Sequence, residues 1–243
     1  MSAEQSGKWT RKAREYFTLS NTRTQWVIAF CIVLALTIFY VEYHVPRGRE
    51  RWSLFTWNKG ISLGATIALM ITMSISLISQ LTGWALKNAL KLRRALGVVS
   101  AVAIVIHIIL SLFFISEDAK KYDLAWYLAP ENYATTVFGL LSAIIFFTMW
   151  YYSYKGPVKS VMKSKGLKGL KLIHRFGYLA IGFIILHLIY LNKLGGTIRW
   201  FKEPDFSKPP PGTLTIYVAS SIFFLLVFVA NAIYFYKNKS QKR

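Results

Sequence analysis

The 243-residue chain has a single cysteine, Cys31, and only 10 acidic residues against 30 lysines and arginines. One cysteine can form neither an intramolecular disulfide nor a thiolate metal cluster. No glycine-rich nucleotide-binding loop is present, and the segments between apolar runs reach only about 20 residues. We therefore expect one domain without an appended soluble flavin or nicotinamide module.

Apolar sequence, in contrast, is abundant, since 54% of the residues are hydrophobic and 16% are aromatic. Crossing about 30 Å of hydrocarbon takes roughly 20 helical residues. Six runs are long enough: 25–43, 60–82, 96–116, 135–154, 174–192 and 213–236. Because a span must satisfy its backbone hydrogen bonds internally, each run is predicted to be a helix. The predicted fold is an all-α, six-helix transmembrane domain over 25–236, between a basic N-terminal segment, 1–24, and a basic tail, 237–243.

The number of lysines and arginines is alternately low and high in successive segments outside these spans. Twenty of the 30 cations lie in the N-terminal segment, in the segments after the second and fourth spans, and in the tail. An excess of lysine and arginine marks the cytoplasmic side, so both termini are predicted to be cytoplasmic. The N-terminal region is expected to be retained as an anchor, because no small-residue cleavage site follows it. The cations are also expected to attract anionic lipid, and nucleic-acid binding is not expected.

The four histidines differ in their surroundings. The stretch LIHRFGYLAIGFIILHLIYL, residues 172–191, holds His174 and His187, and AVAIVIHIILSLFF surrounds His107. His44, at the end of the first span, is interpreted as a residue of the membrane interface. An imidazole within hydrocarbon is unfavourable unless it faces a partner or a cavity, so His107 is predicted to have a partner.

Counting from the cytoplasmic cations predicts similar depths for His107 and His187. His107 lies thirteen residues beyond Arg94 and His187 twelve beyond Arg175, or about 20 and about 18 Å along a helix. Two neutral imidazoles at one depth suit axial ligation of heme iron, and such ligation favours electron transfer over oxygen chemistry. The competing interpretation is that each histidine only hydrogen-bonds a hydroxyl or carbonyl on a neighbouring helix.

One heme is predicted rather than two. His174 lies at the cytoplasmic edge, and it projects about 220° around the helix from His187 after whole turns. A second ligand on the third span would fall where Arg93 and Arg94 stand. These arginines are interpreted first as topology determinants, with Arg94 also a candidate for contact with a cofactor phosphate or propionate.

Two motifs carry a resemblance to a known family. LRRALGVVSAVAIVIH, residues 92–107, and LKLIHRFGYLAIGFIILH, residues 170–187, resemble the ferric reductase-like transmembrane domain superfamily. The resemblance covers the second to sixth spans, and it is greatest to the heme-binding membrane subunit of the bacterial periplasmic methionine sulfoxide reductase system. It implies a six-helix protein of a prokaryotic inner membrane that binds heme b through His107 and His187. It also matches His174 to a further motif histidine that is sometimes linked to a second cofactor. The chain departs from that subunit near the end of the fourth span, where it reads MWYYSY instead of a Thr-Ser pair.

Together, the residues and the resemblance predict a heme b-binding membrane protein that passes electrons from a cytoplasmic flavin or quinol donor to an acceptor outside. FMN or quinone is a candidate second cofactor. The expected partners are the lipid bilayer, a flavoprotein or quinol donor, and an extracytoplasmic redox protein. The basic segment before the fifth span is interpreted as a lipid-facing loop, or as a docking site for an acidic flavoprotein.

Two alternatives remain open. One is a quinol-oxidising cytochrome b subunit of a larger redox complex. The other is a heme-free transporter or assembly scaffold, in which His107 and His187 line a polar path. Transport is disfavoured because no interrupted helix is expected from the sequence.

Overall fold

The protein is helical throughout the part of the chain that the structure describes. The computed structural model describes residues 22–46, 52–82, 86–114, 124–152, 154–191, 193–207 and 210–240. Within these ranges there is no strand, and a 3-10 turn, Pro130–Asn132, precedes the fifth of eight α-helices. The α-helices are α1 Thr22–His44, α2 Leu54–Thr82, α3 Leu86–Phe113, α4 Leu124–Leu128, α5 Tyr133–Tyr151, α6 Lys155–Tyr190, α7 Lys193–Lys202 and α8 Gly212–Ser240.

Several of these helices are long and apolar enough to cross a membrane, as predicted. The described residues contain five such segments: Arg23–His44, Leu54–Ile75, Leu92–Phe113, Pro130–Tyr151 and Gly212–Ile233. A sixth span exists only if Arg175–Tyr190 and Gly195–Lys202 are counted together, and these two segments meet at an angle of 75°. The all-helical fold is therefore confirmed, with five segments long and apolar enough to span a membrane, whereas a sixth uninterrupted span is not. The break between α6 and α7 also differs from the expectation that no helix is interrupted.

The basic segment before the fifth predicted span is a helix, so its interpretation as a loop is wrong. α6 runs without a break from Lys155 to Tyr190, over 36 residues. That length is about 54 Å, well beyond the roughly 30 Å of hydrocarbon. Hydropathy identifies only the apolar part of a helix, whereas lysine is a good helix former that extends the helix beyond it. α2 and α3 likewise begin at Leu54 and Leu86, before the predicted spans 60–82 and 96–116.

The helices pack as two groups. α2 packs extensively against α1, α3 and α8, whereas α5 packs chiefly against α6. Contacts between the groups are sparse and run mainly from α3 to α5, from α2 to α6 and from α8 to α6. We call the boundary between the two groups the seam. His107 and His187 belong to different groups, so any site that they share lies across the seam.

The position of α2 depends on a close approach to α1. A Cβ atom at Gly60 would lie 3.0 Å from the carbonyl oxygen of Thr37, and one at Gly64 would lie 2.9 Å from the carbonyl oxygen of Val33. Small residues four apart let helix backbones approach closely within a membrane. The glycines therefore hold α2 against α1, and α2 in turn carries a polar residue of the site described below.

Candidate functional site

His107 lies on α3 and is hydrogen-bonded to an amide on α2. Its Nδ1 lies 2.9 Å from Oδ1 of Asn58. The Nδ2 group of Asn58 donates to Oγ of Ser111 at 2.8 Å, one turn beyond His107 on α3. Asn58 is only 4% exposed. Since Oδ1 of an amide can only accept, Nδ1 of His107 donates to it and carries the ring proton of the neutral imidazole.

His187 lies on α6 and is hydrogen-bonded to the backbone of α5. Its Nδ1 lies 2.9 Å from the carbonyl oxygen of Thr135. A Cβ atom at Gly139, one turn along α5, would lie 3.0 Å from Nδ1 and 3.2 Å from Cε1 of the same ring. The carbonyl can only accept, so Nδ1 of His187 also donates. The absence of a side chain at Gly139 is what lets the imidazole reach the α5 backbone.

The two imidazoles therefore share one hydrogen-bonding pattern. In each neutral ring the proton is on Nδ1, which leaves the lone pair on Nε2. No hydrogen bond to either Nε2 is found among the described residues. When charged, His187 acts electrostatically on His107 across the seam, so the two rings are near each other. The fold thus brings together two imidazoles from different helix groups, each with Nε2 available to a ligand.

The site lies toward one end of the bundle. Asn58 and Thr135 stand in the first two turns of α2 and α5, whereas His107 and His187 stand in the last two turns of α3 and α6. All four residues therefore lie within about 10 Å of a helix end. Along α6, residues 182–189 are half-buried on every face, as expected beside a loosely packed seam.

Arg94, the other predicted cofactor-binding residue whose side chain the structure describes, is not brought to this pair. Arg94 is exposed, thirteen residues or about 20 Å from His107 along α3. Arg93 is half-buried and interacts electrostatically with Tyr178 of α6. His174 belongs to α6, but its side chain lies outside the described residues, so its role in a second cofactor site stays a prediction.

His44 ends the first span and is buried within the protein, while its position at the membrane interface stays a prediction. It is 4% exposed, its Nδ1 lies 2.8 Å from the carbonyl oxygen of Tyr40, and its Nε2 lies 3.2 Å from that of Pro210. Its ring also stacks on Tyr40, with 4.2 Å between centroids. The chain before α8 returns to cover the end of α1, which hydropathy alone does not reveal. Both nitrogens of His44 thus face backbone oxygens, unlike those of the other two rings.

Three residues that complete the site were not found from the sequence. Asn58 falls just before the predicted second span, 60–82, so hydropathy does not mark it as an intramembrane polar residue. Thr135 contributes a backbone oxygen, which has no signature in a sequence. Gly139 could have been noticed as a small residue on a span, although its partner could not have been identified.

The chemistry of the pair limits what it can bind. Among the described residues, no group of three or more His, Cys, Asp or Glu side chains could hold a metal ion. Two imidazoles alone supply too few ligands for a typical protein metal centre, but they suit a metal whose other ligands come from a macrocycle. The fold and site thus define an α-helical protein that has several helices long and apolar enough to span a membrane and a pair of histidines from different helix groups. No protein-family model matches the chain, and the search of curated proteins found no match.

Proposed function

We propose that the protein is a membrane cytochrome that binds one heme b through His107 and His187. In this proposal it carries electrons from a cytoplasmic flavin or quinol donor to an acceptor on the outer side of the membrane. When bound, heme would be held by His107 and His187 and would supply one-electron redox chemistry. The helices carry the two ligands, set the depth of the site in the membrane and separate it from water.

The observation that carries this proposal is the shared hydrogen bonding of the two rings. A metal-ligating histidine usually donates its second ring N–H to a carboxylate, carbonyl or other acceptor, which sets its tautomer and orientation. Nδ1 of His107 has Asn58 Oδ1 as acceptor, and Nδ1 of His187 has the Thr135 carbonyl oxygen. Each ring is thus held in the tautomer that presents Nε2 as a ligand.

The packing of the helices is consistent with a flat cofactor between the two groups. α3 and α6 carry the histidines but make few contacts with each other, since the strong pairs are α2 with α3 and α5 with α6. Each histidine is fixed within its own well-packed pair. The ligands would therefore stay in place while a macrocycle lies across the seam.

The simpler alternative is that these hydrogen bonds only hold neighbouring helices together. Such a role explains the hydrogen bonds of Nδ1 in His107 and His187. It also explains why both nitrogens of His44 face backbone oxygens. It does not explain the Nε2 atoms of His107 and His187. Neither atom has a hydrogen-bond partner in the described part of the chain, and the two rings are near each other. The two interpretations differ in what replacement of the histidines does to a heme spectrum.

The test is the visible spectrum of protein purified from cells supplied with heme, oxidised and then reduced with dithionite. We expect a low-spin b-type spectrum, and loss of heme or conversion to high-spin in His107→Ala and in His187→Ala. His44→Ala is the control, since His44 is more buried than either ligand and both of its nitrogens face backbone oxygens, and this variant should keep the low-spin spectrum. Wild-type protein without a Soret band would overturn the proposal.

A heme-free transporter is the second candidate function, and the 75° break between α6 and α7 is the observation that favours it. Transporters commonly build their sites at interrupted helices. The break lies beyond the last turn of α6, however, and His187 precedes it within regular helix. The same spectrum separates the two functions, because a heme-free transporter has no Soret band.

A further inference from the structure

We infer that Asn58 is a positioning residue for His107, which holds the ring with Nε2 toward the seam and sets how strongly that nitrogen donates electrons. The inference rests on the proposed function, because the electron donation concerns a ligated iron. It extends that function to a residue on α2 that the sequence motifs do not include.

Both hydrogen-bonding groups of the Asn58 side chain are directed at the same turn of α3. Oδ1 faces Nδ1 of His107 at 2.9 Å, and Nδ2 donates to Ser111 at 2.8 Å. His107 and Ser111 are four residues apart, so they lie on one face of the helix. A single amide therefore spans this turn and is held at both of its ends.

This arrangement distinguishes between the two tautomers of His107. With Oδ1 toward the ring, Nδ1 must carry the proton, and Nε2 keeps its lone pair. With the amide reversed, Nδ2 would face the ring, Nδ1 would accept, and Nε2 would carry the proton. A protonated Nε2 cannot ligate a metal. The structure has the first orientation, with Oδ1 toward the ring and Nδ2 donating to Ser111, and in this orientation Nε2 is competent to ligate.

Burial makes this hydrogen bonding costly to lose. Asn58 is nearly inaccessible, and a buried amide that lacks partners loses the hydrogen bonds that water would provide. Leucine has the same number and branching of side-chain heavy atoms, and it would occupy the position without this requirement. Packing alone therefore gives no reason for asparagine here, whereas orientation of His107 does.

A hydrogen bond from the distal N–H of a ligating histidine raises the basicity of the ligand and lowers the reduction potential of the metal. Asn58→Leu removes the acceptor, so the heme midpoint potential should shift upward. Asn58→Asp at alkaline pH introduces an ionised acceptor, which accepts more strongly, so the potential should shift downward. We expect these opposite shifts, together with a change in the low-spin electron paramagnetic resonance signal, in the purified heme-loaded protein.

Thr66→Val is the matched control, because Thr66 is also a buried polar residue of α2. Its hydroxyl donates to the carbonyl oxygen of Ser62 within the same helix, at 2.8 Å, and it does not face His107. A change in stability alone would affect this variant too, but its midpoint potential should equal that of the wild type. Ser111→Ala is the second variant, and it should shift the potential in the same direction as Asn58→Leu, because Asn58 loses its anchor.

Each outcome has a separate meaning. Wild-type protein without heme would refute the proposed function itself. Wild-type protein with low-spin heme, and potentials unchanged in both Asn58 variants, would leave the proposed function standing and overturn the role of Asn58. If neither Asn58 variant accumulates, Ser111→Ala decides the question, since an unchanged potential there would also overturn the inference.

Discussion

Gly139 of α5 and His187 of α6 are in direct contact, with no room for a side chain between them. A Cβ atom at position 139 would lie 3.0 Å from Nδ1 of the ring and 3.2 Å from Cε1. The ring is held there by its hydrogen bond to the carbonyl oxygen of Thr135. The close packing of α5 on α6 and the orientation of His187 thus depend on the same small residue.

Gly139→Val should therefore lower heme occupancy. The added methyl groups occupy the space of the imidazole, so His187 must leave the Thr135 carbonyl and turn its Nε2 away from the seam. The ratio of heme to protein in the purified variant measures this effect. Gly182→Ala is the control on α6, because a Cβ atom there meets nothing within 4 Å. Full heme occupancy in Gly139→Val would contradict this role of the contact.

His174→Ala should keep the low-spin spectrum that His187→Ala loses. Roughly thirteen residues of helix separate the two positions by about 20 Å, so His174 is too far away to share an iron with His187. If His174 lies beside a second cofactor, its replacement should slow reduction by the cytoplasmic donor. Spectra and reduction rates of both variants, measured side by side, check this. Loss of the low-spin signal in His174→Ala alone would show that the wrong ligand had been assigned on α6.

Gly212→Val should destabilise the contact between α1 and the start of α8. A Cβ atom there would lie 3.0 Å from Oη of Tyr40 and closer still to Cε2, and this ring is buried and stacked on His44. Overpacking of this kind typically costs about 1–3 kcal/mol. A lower thermal unfolding midpoint in detergent is expected, with little change in Gly196→Ala, where a Cβ atom meets nothing within 4 Å. An unchanged midpoint in Gly212→Val would show that Tyr40 moves aside freely.

Reporter fusions at Arg243 should be active only on the cytoplasmic side. The expectation comes from the placement of twenty of the 30 cations in alternate segments, since lysine and arginine remain on the cytoplasmic side of short loops. A fusion in the segment between the first two spans, after His44, should show the opposite activity and serves as the control. Activity of the Arg243 fusion only outside would invert the predicted topology and reverse which end of the bundle holds the histidine pair.

The sequence alone was enough to predict that the chain is a bundle of membrane-spanning helices. Long apolar runs exclude other backbone structures from hydrocarbon, because each segment must satisfy its own hydrogen bonds. The ends of the helices were not predictable in the same way. α6 extends back to Lys155 and breaks before α7, because helix formation by lysines and a bend between two helices leave little trace in mean hydropathy.

The sequence also determined which histidines need partners, since an imidazole within an apolar run is unfavourable when it is alone. Only the tertiary structure decided what those partners are. Asn58 precedes His107 by 49 residues, and Thr135 precedes His187 by 52. Neither contact follows from local pattern, because each depends on how two helices are rotated and shifted against each other. The Thr135 contact uses a backbone oxygen that every residue has, so only packing against Gly139 could select it.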